Sequence, residues 1–555
     1  MRRIVLAFAF MLVCFHPLKV MAACANGGGY LGSCSKAGLW EYSTTFSAYR
    51  FCDGTSFWSM QGCGSLGACT TAGAFDLSGG NHRFCDGALL WPVSNGGTLG
   101  ACSGAGKMDY DTTLNTMKWC DGTNWINMKG ADWWWPNATL DMDFASNRYY
   151  LNGTAYTDIA SFITASGATF TRGSTATYFD SAGTMQTAAA NTPRLDYDPV
   201  TLAAKGVLIE ESRTNYLKYS SSFTTSPWAY NPTHITLSSN ASTAPDGTNT
   251  ATLATANGAG LSYINQTSGL PSAASQTFTR SIYAKAGTAN LIYLQFTTNT
   301  NTYIVTTFNL ATGIATNGGG AIASMTPVGN GWYRCTATYS YPSTGVNDFV
   351  TYIGAYGSGT GNVYLWGGQL EQASFPTSYI PTTSSTVTRA ADLFTIPAGS
   401  WFDSTQGTFI SRSETFDNNP YSNDYRRYIW SLSDSNFTRL NLRASIGAFG
   451  NANAPHGVFG DGTAVYNLTP PTTIAGNVFT TAALAFSSSS SPGAGLSIDG
   501  AASLTSANAC TPDTSGGLLV GGTTGGSARQ LTGHICSDPQ SSAVGIALIG
   551  GWCPD

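Results

Sequence analysis

Three times before residue 130 the chain places an aromatic residue, a cysteine, an aspartate and a glycine in succession, with a tryptophan shortly after. The copies are Phe51-Cys52-Asp53-Gly54 with Trp58, Phe84-Cys85-Asp86-Gly87 with Trp91, and Trp119-Cys120-Asp121-Gly122 with Trp125. Their cysteines are spaced by 85 − 52 = 33 and 120 − 85 = 35 residues, the period of a structural repeat. Asp-Gly between two short aromatic runs is tight-turn chemistry, so each copy predicts a hairpin with the tryptophan on its return arm. An upstream cysteine (Cys34, Cys69 or Cys102) accompanies each copy. A short glycine-rich module buries little apolar surface, and in an exported chain disulfides are the usual supplement. The spacing suggests Cys34 with Cys52, Cys69 with Cys85 and Cys102 with Cys120, leaving Cys24 for Cys63. Sequence alone leaves that connectivity open. Zinc is disfavoured, since spacings within units are long and His82 is the one histidine of the region.

Export itself is read from the first 22 residues. Arg2 and Arg3 precede an apolar run from Ile4 to Phe15, and Met21-Ala22-Ala23 follows, the layout of a secretory signal peptide. The run is too short to span a bilayer, and His16, Pro17 and Lys19 interrupt it. Cleavage there removes Cys14, and no later segment is apolar enough to span a membrane. The expected location is therefore secreted, extracellular or cell-surface. At 555 residues the chain exceeds one hydrophobic core and should divide into several domains. With only 10% charged residues but 12% aromatic, long exposed helices lack their usual material and sheets are favoured. A net charge of −5 supplies no positive field for a nucleic-acid backbone.

The repeats occupy 23–130, and 131–219 reads as a connector and junction module. Within it, Trp133-Trp134-Trp135-Pro136 is an aromatic knot best used in packing, because three successive side chains cannot face one way on a strand. The stretch from Phe170 to Phe223 clusters ionised side chains in a chain otherwise poor in them, and Glu210 and Arg213 beside the apolar strand Gly206 to Ile209 are read as a structural clamp. Its phrases Thr171-Arg172, Ala176-Thr177-Tyr178, Pro193-Arg194-Leu195-Asp196-Tyr197-Asp198-Pro199 and Leu208-Ile209-Glu210 with Arg213-Thr214-Asn215 resemble the junction of phage and prophage tail-fibre-like surface proteins. In that family the junction precedes a carbohydrate-binding-like sandwich. The resemblance extends to Ala244 to Thr248, Ser281 to Gly287, Gly331 to Cys335 and Tyr364 to Thr382. The front repeats are similar to FCDGTxWxxM units, best matched by Cys120 to Met128, with Ala88 and Leu89 departing in the middle copy. The family is defined by architecture rather than by one reaction.

From 220 to 382 the chain reads as one β-sandwich or jelly roll of about 160 residues. Alternation marks strands at Phe278 to Lys285, Leu291 to Phe296, Tyr303 to Phe308, Trp332 to Tyr339 and Val363 to Glu371. Cys335 is expected as a buried thiol. What the resemblance implies for this module is glycan binding through aromatic rings stacked on sugar faces, the candidates being Trp228, Tyr283, Tyr293, Trp332 and Trp366. Residues 383–555 read as a second sandwich similar to the concanavalin/laminin-G type. This part leaves the family's pattern after Gly533-His534-Ile535, where Cys536-Ser-Asp-Pro-Gln and an apolar tail follow; Cys536 with Cys553 could staple that tail and leave Cys510 free.

The expected fold class is thus mainly β: disulfide-stapled small repeats followed by two β-sandwiches. Asp196, Asp198, Glu210, Glu211, Glu371 and Asp392 are the acids a glycosidase could draw on, but no spacing singles out a pair, and no serine-hydrolase elbow occurs. No cofactor is called for and no metal ligands are assigned; a structural calcium in a sandwich loop is compatible with the composition, without an EF-hand pattern to support it. The sequence reading is a non-catalytic, lectin-like surface or fibre-like protein whose partner is an extracellular or cell-surface polysaccharide. Its rivals are a self-assembling subunit of an extracellular filament and a polysaccharide depolymerase.

Overall fold

The computed structural model describes residues 138–414 with breaks at 273–275, 299, 301, 344 and 355–358. It describes the strands of 426–549 with part of the connecting turns, and, before 138, the backbone of ten short strands between Tyr30 and Asn127. The chain forms two compact units, Met1–Pro136 and Asn137–Asp555. The segment read as a signal peptide, the tryptophan knot and the ten cysteines assigned to pairs all fall outside the residues whose side chains are described.

In the first unit the backbone forms one four-stranded and two three-stranded antiparallel sheets. Each repeat contributes a hairpin with the predicted arms. Phe51 lies opposite Trp58, Phe84 opposite Trp91, and Trp119 opposite Ile126 next to Trp125. The expectation that this framework is disulfide-stapled is corrected here. No disulfide occurs among the described residues, and the two described cysteines, Cys335 and Cys510, are buried free thiols. Strand pairing by backbone hydrogen bonds defines the class, which is mainly β among the described residues.

The second unit holds two sandwiches, one inserted into the other. The host pairs an eleven-stranded sheet with a seven-stranded one. The larger sheet takes Ala138–Asp143, Arg148–Leu151 and Thr154–Tyr156 from the region read as a connector and sets them beside Gln406–Ser413, Thr480–Ser487 and Ala494–Ile498. The apolar tail joins this sheet. Ile546–Ile549 lies between Ala138–Asp143 and Gln406–Ser413, antiparallel to both, and closes the sheet where the family's pattern had been lost. In the smaller sheet Thr169–Thr171 pairs with Leu393–Ile396, opposing Phe170 to Phe394. Period-two alternation aims Leu140, Met142, Phe394, Phe409, Trp430, Leu484 and Leu496 into one core between the sheets.

One helix, Ile159–Ser166, packs Phe162 into that core, its ring centroid 5.0 Å from that of Tyr149. Asp158 caps its start by accepting from the Ser161 amide at 2.8 Å, and Gly167 at φ 66° ends it in the left-handed conformation that glycine tolerates best.

The inserted sandwich consists of two six-stranded antiparallel sheets. One runs Ala229–Tyr230, Tyr263–Ser272, Gly345–Ile353, Leu291–Thr298, Tyr303–Asn309, Ile314–Thr316; the other runs Ile235–Ser242, Ala251–Asn257, Thr360–Glu371, Thr277–Ala286, Trp332–Ser340, Ile322–Pro327. Between them Phe223, Ile264, Phe278, Ile282, Leu294, Phe296, Phe308, Phe349 and Leu365 form the core. The chain enters this sandwich along Arg213–Asn215 and leaves along Val387–Arg389. Those two strands pair as a neck, with Arg213 opposite Arg389.

Candidate functional site

The base of the neck is a fully buried ionic hub. Arg194 lies between two carboxylates, its Nη1 2.8 Å from Glu210 Oε2 and its Nη2 2.6 Å from Asp392 Oδ2. Arg172 Nη1 donates to the other oxygen of Asp392 at 2.9 Å, and Arg389 Nε stands 3.5 Å from Glu210. The backbone joins in: the Glu210 amide donates to Asp392 Oδ2, the Asp392 amide to the Glu210 carbonyl, and the amide and hydroxyl of Ser378 to Glu210 at 2.7 and 2.6 Å. Arg194 Nη1 also reaches the Thr177 carbonyl and Arg172 Nη2 that of Ala189, which ties the hairpin Ala176–Phe179/Met185–Ala188 to the same point.

Burial alone would raise the Glu210 carboxyl. The guanidiniums of Arg389 and Arg194 and the donors of Ser378 overcome it and hold the group well below the usual carboxylate range. Burial pushes the Arg172 and Arg389 guanidiniums downward, whereas two flanking carboxylates outweigh burial at Arg194 and push it upward. The chemistry of this arrangement is cohesion. Its acids are bonded on every side and have no opening to a substrate.

The clamp expected from Glu210 and Arg213 therefore has different members. Glu210 is held by Arg194 and Arg389, while Arg213 turns to Glu211 and lies 5.9 Å over the Phe375 ring. The sequence reading names Arg172 and Arg194 only as part of the resemblance and assigns none of Arg172, Arg194 and Arg389 to the clamp. Two of them follow a threonine at a strand end, at 171–172 and 388–389, but the same pair also stands at 279–280 and 438–439, so it marks no partner.

The other candidate acids are structural too. Asp196 accepts from the Phe179 amide at 2.7 Å, Asp198 caps a turn through the amides of Val200 and Thr201, and Glu371 accepts from the amide and hydroxyl of Thr377. Among the described residues no group of three or more His, Cys, Asp or Glu side chains is placed to hold a metal ion. Burial pushes the Cys510 thiol up to about 12 and that of Cys335 higher still, so both behave as apolar filler.

Four of the five rings expected to stack on sugar are internal. Trp228 belongs to the core between the sheets, edge-on to Phe223 and Phe349, with its Nε1 donating to the carbonyls of Lys218 and Tyr219. Tyr283, Trp332 and Trp366 project from the opposite, outward side of the second sheet, yet their exposures are only 1%, 2% and 3%. Met185, Ala244, Val328 and Tyr379 cover them, so the junction hairpin seals that face with a second apolar layer. These four rings offer no open face to a ligand, which corrects the assignment.

Tyr293 lies on the outward side of the first sheet, where the register makes a row: Tyr263 opposite Tyr352, Tyr352 opposite Tyr293, Tyr293 opposite Thr307 and Thr307 opposite Thr316. Tyr293 and Tyr352 are buried at 9% and 7%, whereas Tyr263 is half-buried, its ring centroid 5.3 Å from that of Tyr352. The adjacent row sets Asn265 and Val350 beside Gln295, whose Oε1 accepts from the Tyr352 hydroxyl at 2.9 Å. Tyr303, on the same side, is 59% exposed.

No family model matches this chain, and no curated protein does, so the resemblance to phage and prophage fibre proteins finds no counterpart there. Among solved structures the chain is similar to the mouse laminin alpha1 chain, domains LG4-5, at 9% identity and a TM-score of 0.19, covering 63% of this chain and 96% of that one. It is also similar to the LG1-3 region of the laminin alpha2 chain at 9% identity and a TM-score of 0.20, covering 52% and 68%. At these scores the likeness carries no argument, and the sandwich architecture rests on the sheet pairing described above. Among the described residues no helix is long and apolar enough to cross a membrane.

Proposed function

We propose that the protein is a non-catalytic, surface-acting glycan binder that meets its ligand on the outward face of the first sheet of the inserted sandwich. The observation that carries this reading is the pair of accessible rings on that face, half-buried Tyr263 and exposed Tyr303, with half-buried Asn265 beside Tyr263 and the buried Tyr352 and Tyr293 packed behind as their support. Accessible aromatic rings on a sheet face suit the apolar faces of pyranose units, and the Asn265 amide beside them suits sugar hydroxyls. Tyrosine orders at small entropic cost because it has few rotors. The non-catalytic part is supported by the six candidate acids, Asp196, Asp198, Glu210, Glu211, Glu371 and Asp392, each of which is engaged in holding backbone or arginine. Binding at one such face should be weak, with a dissociation constant of about 1 mM, and gains strength when several copies are displayed together.

The test is a glycan array probed with the protein both free and coupled multivalently to a bead, alongside Tyr263→Ala and Tyr303→Ala. Binding should be clear only in the multivalent form and should fall at least fivefold in either variant. If the multivalent form binds no host-surface or extracellular polysaccharide while the full-length protein polymerises, the filament reading replaces this one. Hydrolysis of a bound polysaccharide would instead favour a depolymerase.

A further inference from the structure

The second sheet contains an irregularity that the tyrosine row does not explain. Strand Ile235–Ser242 slips out of register with Ala251–Asn257 between Ser238 and Ser242, and at the slip Asn240 takes φ 55°. A bulge of this kind re-aims side chains, and asparagine is among the few residues that tolerate the left-handed conformation. Beneath the bulge lies a cavity of about 200 Å³ lined by Ser221, Ser222, Ser239, Asn240, Thr250 and Thr252. Every lining side chain is a neutral hydroxyl or amide.

The wall is organised from behind. Trp366 Nε1 donates to Thr250 Oγ1 at 3.1 Å, Thr248 lies 2.7 Å from the same oxygen, Ser239 is fixed by Thr224 at 2.9 Å and Ser222 by Thr225 at 2.8 Å. Trp366 thus acts on the cavity through Thr250 and not as a stacking platform. Two lining groups have no such hydrogen bond to hold them: the side-chain amide of Asn240, an exposed residue at the rim, and the hydroxyl of Thr252, a residue only 1% exposed. Polar groups lining a half-open, uncharged pocket are matched by a partner that supplies donors and acceptors together.

We infer that this cavity takes a single neutral sugar ring, the terminal unit of a glycan chain. Its volume falls below the roughly 300–1,000 Å³ typical of pockets for drug-sized ligands, so it has room for one ring, with the rest of a chain left outside. With no cationic side chain in the lining, nothing compensates the desolvation of a carboxylate or a phosphate, and acidic sugars are excluded. The inference rests on the glycan-binding reading and adds a second, end-reading site to the chain-reading tyrosine face.

The test uses the full-length protein with methyl glucoside, methyl galactoside and methyl mannoside as neutral probes and methyl glucuronide as the acidic one, followed by saturation-transfer NMR and calorimetric titration. At least one neutral probe should bind with a dissociation constant of about 1 mM. Asn240→Gly, which keeps the backbone conformation, and Thr252→Val, which keeps the shape, should each weaken it at least fivefold, while Ile322→Ser, an exposed position on the opposite edge of the same sheet, leaves it unchanged and methyl glucuronide gives no signal. The cavity assignment is overturned, with the glycan reading intact, if no neutral probe binds while the multivalent protein still captures polysaccharide in a Tyr263-dependent way. It is also overturned if a probe binds but neither cavity variant weakens it, or if the glucuronide binds as well as the neutral sugars. Absence of all binding, to monosaccharide and polysaccharide alike, removes both.

Discussion

Replacing Glu210 with Gln tests whether the buried hub is the element that holds the insertion to its host. Three donors converge on this carboxylate within hydrogen-bond distance, namely Arg194 Nη1, the Ser378 amide and the Ser378 hydroxyl, with Arg389 Nε at 3.5 Å. Glutamine keeps one acceptor oxygen and turns an NH₂ toward donors that cannot use it. It also removes the negative charge beside two buried guanidiniums. Breaking a buried pair from one side costs about 3–5 kcal/mol, because the other charge is left uncompensated. At roughly 2 °C per kcal/mol, the low end suited to a large unit, the melting temperature should drop by about 6–10 °C.

Differential scanning calorimetry reads that drop directly. A cycle with Arg194→Met checks its origin, since the double variant should cost less than the sum of the single ones. The pH dependence carries a sign as well. Glu210 is held well below its ordinary 4.5 in the folded chain, so the unfolded chain binds more protons as the pH falls past that value. The stabilisation is fully present above about pH 5 and drains away in acid, and Glu210→Gln should flatten that acid limb. A loss under 2 °C with the acid limb unchanged would refute the reasoning.

Two other perturbations give contrasting outcomes. Burial, aided by Asp143, pushes the Asp141 carboxyl from 3.8 up to about 8. The folded chain therefore keeps a proton between those pH values that the unfolded chain has released, and stability falls as the pH rises across that window. Asp141→Asn should accordingly be near neutral at pH 4 and stabilising by on the order of 2–4 kcal/mol at pH 9, as read from urea midpoints at both pH values. Ending the chain at residue 545 would remove Ile546–Ile549 and leave two facing strand edges unpaired. The shortened protein should lose amide-exchange protection over Ala138–Asp143 and aggregate in sedimentation, while the 220–382 sandwich keeps its protection.

Strands of the inserted sandwich were legible because alternation is a local signal. Phe278 to Lys285 was read where Thr277–Ala286 is found, and Trp332 to Tyr339 where Trp332–Ser340 is found. The host was not legible to the same depth. Residues 138–156 look like a connector because their partners lie far off; Thr139 already donates to the Trp401 carbonyl, 262 positions away. The misassigned rings have a similar cause. Alternation does set Tyr283 and Trp366 on an outward face, but only the fold reveals that Met185 and its hairpin cover that face. The hub escaped because an arginine's partner cannot be chosen by proximity in sequence: Glu210 passes over Arg213 for Arg194 and Arg389.

The paired strands at the neck also dictate an order of events during synthesis. The host's first strands leave the ribosome long before their partners, with Arg172 and Asp392 separated by 220 positions. Joining them across an unstructured loop of that length is entropically costly and slow. Once the intervening sandwich has folded, its ends meet where Arg213 faces Arg389, and the path from Arg172 to Asp392 shortens from 220 positions to 41 before the neck and 3 after it. An insertion that folded first would act as a splint, bringing the two halves of its host within reach before strand Ile546–Ile549 pairs with Gln406–Ser413, and pulsed amide exchange during refolding should then protect Thr277–Ala286 before Ala138–Asp143.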